Sequence, residues 1–234
     1  MTNFAFTQQY QNGLILPDFT KIEQSEVCCI YLPKDGFSVF NSPNGDNTGT
    51  LTRLTDGNKD DQAPYKIFFT DISTDSAKQL ELSNFKEIGY EIWAITYFER
   101  KKGFVRIVDR NVDFWLSEKQ IEQKSFKIEK WKDFLISNTG NLLGYYASEP
   151  GLNLRMLPSK ESDVVLTLKG DLFEITPTEQ TVNNWVKVKV IKYKEHPCVS
   201  ELNQNDLIEA KFEGWIILVN ENGIPNVWYY SRGC

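Results

Sequence analysis

The feature that most constrains this chain is the shortness of its apolar runs. Val, Ile, Phe, Tyr, Trp and Thr gather in brief stretches such as Phe104-Val105-Arg106-Ile107-Val108 and Trp185-Val186-Lys187-Val188-Lys189-Val190, and Gly, Pro, Asn and Asp punctuate them. Alternation with a period of two, bounded by turn formers, specifies half-buried strands rather than helices. Val186, Val188 and Val190 therefore share one face of a strand, and Leu152 and Leu154 share one face of another. Long amphipathic helices are scarce, so the expected class is all-β.

With 234 residues, 41% hydrophobic and 13% aromatic, the chain can supply one large core or two small ones. A net charge of −6 argues against a binder of phosphate backbones, which needs clustered Lys and Arg to displace counterions. The expected partner is a protein or peptide, not nucleic acid. Met1 to Phe19 lacks a basic leader and an unbroken apolar core, so no signal peptide is expected. No run approaches the ~20 apolar residues that span a bilayer, which excludes membrane insertion by a helix. Four cysteines, two of them adjacent at Cys28 and Cys29, read as free thiols and not as a disulfide framework. A cytoplasmic location follows as the expectation, with the periplasm or cell surface as the alternative if an export signal has been removed.

The second half carries the clearest order of motifs. Leu152-Asn153-Leu154-Arg155 leads to Pro158-Ser159, then Lys169-Gly170-Asp171, then Trp185-Val186-Lys187-Val188, and finally Gly214-Trp215-Ile216. Pro158 fixes φ and Gly170-Asp171 supplies a reversal, so these pieces read first as turn chemistry between strands. Their succession, over about the last third of the chain, resembles the bacterial SH3 family.

A degenerate copy of that order stands upstream. Gly36 to Phe40 with Ser42-Pro43 parallels Gly151 to Pro158, Gly89 to Ile92 parallels Gly170 to Phe173, Gly103 to Val108 stands for Asn184 to Lys189, and Phe114-Trp115-Leu116 matches Gly214 to Ile216. The resemblance thus implies two tandem small SH3-like β-barrels with loop insertions, domain 1–137 and domain 138–234. The insertions run from Thr52 to Phe85 and from Ile191 to Phe212, positions where small barrels place specificity. Between the modules, apolar residues from Ile121 to Leu135 predict one short amphipathic helix over Ser117 to Ser137, a helical linker, with a boundary at Asn138 to Leu143.

No constellation for chemistry stands out. The single histidine, His196, is two positions from Cys198 in a polar insert, where a thiol and its base have no evident third group. The expected roles are a loop histidine and a small apolar cysteine. Cysteine and histidine spacing gives no zinc set. Asp56, Asp60 and Asp61 miss the calcium-loop spacing. Asn44 to Gly49 lacks the ending of a phosphate loop and reads as a hairpin turn. Neither an enzyme, a metal nor a cofactor is expected.

Aromatic residues are what remains distinctive. The candidate ligand-binding surface is Trp115, Tyr145, Tyr146, Trp185, Trp215, Trp228, Tyr229 and Tyr230. In Tyr145-Tyr146 and Trp228-Tyr229-Tyr230 a pleat must turn at least one ring away from the core, and exposed rings suit protein contacts. The expected function is non-catalytic binding of a protein or peptide, of the kind an intracellular inhibitor or immunity-type protein performs. The alternative implied by the resemblance is binding of cell-wall peptides, and an enzyme with an unrecognised site ranks last.

Overall fold

The computed structural model describes residues 12–22, 32–33, 35–53, 67–81, 85–89, 92–109, 112–137, 144–221 and 223–229. The chain is all-β, with every strand ladder antiparallel. It divides into two compact units, one of Gln11–Lys130 and one that includes Trp131–Cys234. No helix among the described residues is long and apolar enough to cross a membrane.

The first unit runs β1 (Gly13–Pro17), β2 (Phe37–Phe40), β3 (Asn47–Arg53), β4 (Ile67–Asp71), β5 (Ala77–Gln79), β6 (Phe85–Gly89), β7 (Ile92–Tyr97), β8 (Glu99–Lys101), β9 (Phe104–Asp109), β10 (Val112–Ser117), α1 (Glu118–Gln123) and β11 (Phe126–Lys130). A four-stranded sheet has the order β11-β1-β7-β6, and a seven-stranded sheet the order β5-β4-β3-β2-β10-β9-β8. Both contribute to one core: Ile15, Phe37, Val39, Leu51, Ile95, Ile107, Phe114 and Phe126 pack together. Aromatic rings fix its geometry, with Phe37 edge-on to Phe126 at 5.5 Å and Phe69 stacked on Phe114 at 5.7 Å. Hairpins obey their turn residues. Lys102 and Gly103 both take positive φ, 51° and 77°, to join β8 to β9, as a tight hairpin turn requires. Asn44 at φ 61° lies in the turn between β2 and β3, where a hairpin was expected.

The expected single linker helix is corrected. Glu118–Gln123 is helical, but Ser125 at φ 61° reverses the chain and Phe126–Lys130 is a strand. Phe126-Lys127-Ile128-Glu129-Lys130 also alternates with a period of two, and pairing residue for residue with β1 selects that reading. Every residue of β1 is buried, so it needs a neighbour on both edges and finds β7 on the other. α1 is tied to β2 by Gln120, whose side chain accepts from the Ser38 N–H at 2.6 Å and donates to its carbonyl at 3.0 Å.

The second unit runs α2 (Trp131–Ser137), β12 (Tyr145–Ala147), β13 (Leu152–Arg155), β14 (Val164–Leu168), β15 (Phe173–Val182), β16 (Trp185–Tyr193), α3 (Gln204–Leu207), β17 (Ile208–Ile217) and β18 (Val227–Tyr229). The expected boundary at Asn138 to Leu143 lies outside the described residues; the division falls between Lys130 and Trp131, so α2 belongs to this unit. Its seven-stranded sheet has the order β14-β13-β17-β16-β15-β12-β18. β15, β16 and β17 form a meander whose inner face is Ile175, Val186, Val188, Val190 and Ile216, all buried. Gly214 is required there. A Cβ on it would stand 2.6 Å from the Arg155 carbonyl oxygen and 2.9 Å from Leu154 Cγ, so its absence lets β13 pack across β17. The polar segment expected from Lys192 to Lys211 is shorter than that. β16 continues to Tyr193, and α3, capped by the Asn203 side chain, delivers buried Leu207 before β17 begins at Ile208.

Candidate functional site

Because Val186, Val188 and Ile216 point inward, the pleat turns Trp185, Lys187, Trp215 and Ile217 outward on neighbouring strands. Trp185 stands opposite Ile217, and Trp215 stands opposite Lys187 on one side and Arg155 on the other. The two indoles are diagonal neighbours across the β16–β17 ladder, within reach of one another. Both are half-buried. Lys187 is held by Glu213 at 2.7 Å. Trp215 thus sits between cationic side chains on both flanking strands, on the outer surface of a rigid meander.

An open groove of about 350 Å³ runs beside Trp185 and Ile217, bounded also by Asn153, Arg155, Lys160 and Asn226. That volume is of the order of about 300 Å³ and more that small-ligand sites occupy. The polar groups are fixed from behind. Arg155 donates to the Ser162 carbonyl at 2.5 Å, and Asn226 donates to the Ile217 carbonyl at 2.8 Å. Lys160 is paired with Glu221. Rigid aromatic rings beside a groove with oriented amide and guanidinium groups form a surface suited to an extended peptide. Trp185 and Trp215 were legible as candidates; Asn153, Arg155, Ile217 and Asn226 were not singled out. The parity of Lys187 and Ile217 against Val186 and Ile216 was the available signal.

The other candidate aromatics lie elsewhere. Trp115 is 9% exposed and Tyr145 1%, so both rings are core. Tyr145 donates its hydroxyl to the Leu135 carbonyl at 2.9 Å, and burial pushes its pKa far above the ordinary tyrosine value. Tyr146 pairs with Trp228 across β12 and β18, and its phenol is also shifted up by burial. Trp228 packs on Trp131 and Phe134 of α2. Tyr229 pairs with Tyr145, and its side chain, like the whole of Tyr230, lies outside the described residues.

A second, smaller recess is lined by Tyr145, Tyr146, Asp171, Phe173, Glu174, Tyr193 and His196-Pro197-Cys198. Its volume of about 60 Å³ admits one functional group, far below the about 300 Å³ of a small-ligand cavity. Tyr193 donates its phenol to Glu174; burial first, then that carboxylate, keeps the phenol protonated far above its ordinary range. Glu174 reaches across Gly144, at φ 90°, where a Cβ would stand 2.2 Å from Glu174 Cγ. His196 is in a turn: its Nδ1 accepts from the Cys198 N–H at 3.1 Å, which directs Nε2 toward Asp171 at 4.0 Å.

Cys198 corrects an expectation. It is disulfide-bonded, not a free thiol, and its partner sulfur lies outside the described residues. The bond removes the thiolate that nucleophilic chemistry beside His196 would need. The calcium-like run Asp56, Asp60 and Asp61, together with Cys28 and Cys29, also lies outside the described residues.

A scan of protein-family models, a search of curated proteins and a search of solved structures each found no match to this chain.

Proposed function

We propose that this chain is a non-catalytic binding protein that recognises an extended protein or peptide segment on the outer face of β13, β16 and β17. The observation that carries the reading is a groove of about 350 Å³ lined by Trp185 and Arg155, with the half-buried indole of Trp215 diagonal to the first and opposite the second on the same face. Tryptophan and arginine at the centre of a contact surface contribute most to affinity, because they bury large area with few rotatable bonds. The order of motifs from Leu152 to Ile216 supports an SH3-like module as the scaffold. An inhibitor or immunity-type role, with a protein as partner, accords with net charge −6.

A second reading is favoured by Cys198. Disulfides persist in oxidising compartments, so the bond argues for the periplasm or cell surface over the cytoplasm, and there a wall-derived peptide becomes the fitting ligand.

The test is capture with tagged full-length chain from cytosolic and envelope extracts of the producing organism, followed by titration of the purified ligand. Replacing Trp185 and Trp215 by Ala should raise its Kd about tenfold or more while leaving the fold intact. Unchanged affinity would remove this face from function. Co-sedimentation with purified cell-wall material would decide for the second reading, and a soluble cytosolic protein partner for the first.

A further inference from the structure

The seven-stranded sheet of the second unit ends on β14, and no described strand pairs with this edge. β13 is its partner on one side, and no described residue bonds to the other. In an antiparallel ladder alternate residues turn N–H and C=O to opposite sides, so the outer side of Val164–Leu168 presents bare backbone donors and acceptors. Edges of this kind are ordinarily blunted by Lys, Pro, an inward charge or a bulge. The sequence Val-Val-Leu-Thr-Leu has no Lys, Pro or charge, and its one irregularity is the register shift at Val165.

The edge is also apolar. Val164 is 44% exposed and Val165 39%, and Met156 and Leu157, which leave β13 beside Asp163, are 62% and 63% exposed. The ladder shifts register between Leu154 and Arg155, leaving Val165 without an opposite number on β13. A segment of β-branched residues with unpaired backbone is completed by another extended strand.

Charge at its ends identifies that strand. Asp163 precedes β14 and Lys169 follows it, and both are exposed. Among the described residues Lys169 has a long, solvent-facing pair with Glu149 at 3.7 Å. An antiparallel copy of the same strand, related by a two-fold axis through Leu166, sets Val164 against Leu168, Val165 against Thr167, and Asp163 against Lys169 at both ends. The edge is therefore complementary to itself in register, in apolar content and in charge.

We propose that the occupant is a second copy of this chain: β14 pairs with β14 of the second copy, making an isologous dimer in which two seven-stranded sheets become one continuous sheet. This goes beyond the binding face on β16 and β17 and does not depend on it.

The experiment is sedimentation velocity of the full-length chain from micromolar to millimolar concentration. A reversible dimer is expected. Lys169→Asp places a carboxylate opposite Asp163 of the other copy at each end, and Asp163→Lys places two ammonium groups together there; each should raise the dimer Kd about tenfold or more. The double variant Asp163→Lys/Lys169→Asp swaps the pair and should restore dimerisation to near the wild-type value. Both side chains are exposed, and far-UV circular dichroism of each variant checks that the sheet is retained. Amide exchange at Val164–Leu168 should slow with concentration in wild type and in the double variant only. A wild-type chain that stays monomeric throughout overturns the proposal, as does a dimer indifferent to either single reversal.

Discussion

Trp228 stands edge-on to Trp131, with ring centroids 5.6 Å apart, and lies nearly parallel to Phe134 at 6.2 Å. The two partners are one helical turn apart on α2, so one indole packs on two positions of that helix, beside the hydrogen bond from Tyr145 to Leu135. Trp228→Ala removes both contacts and should cost about 3 kcal/mol of unfolding free energy. Urea denaturation checks this, and Trp215→Ala, on the outer face, should stay within about 1 kcal/mol of wild type.

Gly214→Ala should destabilise by about 2 kcal/mol, since the added Cβ meets a backbone carbonyl at 2.6 Å that cannot swing aside. A lowered melting temperature would be the readout. A neutral result would mean that β13 can slide on β17.

Asp18 gives a defined acid response. The Lys21 ammonium at 2.8 Å and then the Thr20 hydroxyl at 2.7 Å hold its carboxyl at about 2, below the ordinary 3.8. A depressed folded value means that the stabilisation is present above 3.8 and is lost as pH falls toward about 2. Asp18→Asn should therefore lose less stability than wild type on acidification through that window. Urea midpoints measured above and below it decide the matter, and equal losses would show that the pair contributes nothing.

Reduction of the Cys198 disulfide should lower stability by about 2 to 4 kcal/mol. Thermal unfolding with and without reductant measures the loss. Cys198→Ser should reproduce the reduced protein's melting temperature in oxidising buffer.

These residues mark how far the sequence reaches. The all-β class, the strands from Leu152 to Val190 and the turns at Asn44 and Gly170 were legible because alternation and positive φ are local properties. Phe126 to Lys130 was not, since its pattern satisfies a helix as well as a strand, and only the edge of β1 chooses.

The candidate site divides in the same way. Residue order alone marked Trp185 and Trp215 as aromatic strand residues, and the parity of their strands places them outward once Val186 and Ile216 are known to be core. For Trp228 and Tyr145 the same local chemistry leads inward, because α2 packs on them, and Trp115 is likewise buried. Cys198 became a disulfide only through proximity in space, which no spacing along the chain encodes. Period and turn chemistry are written residue by residue and determined the strands; which face is covered, and which sulfur meets which, depends on contacts between distant segments and was decided by the tertiary structure.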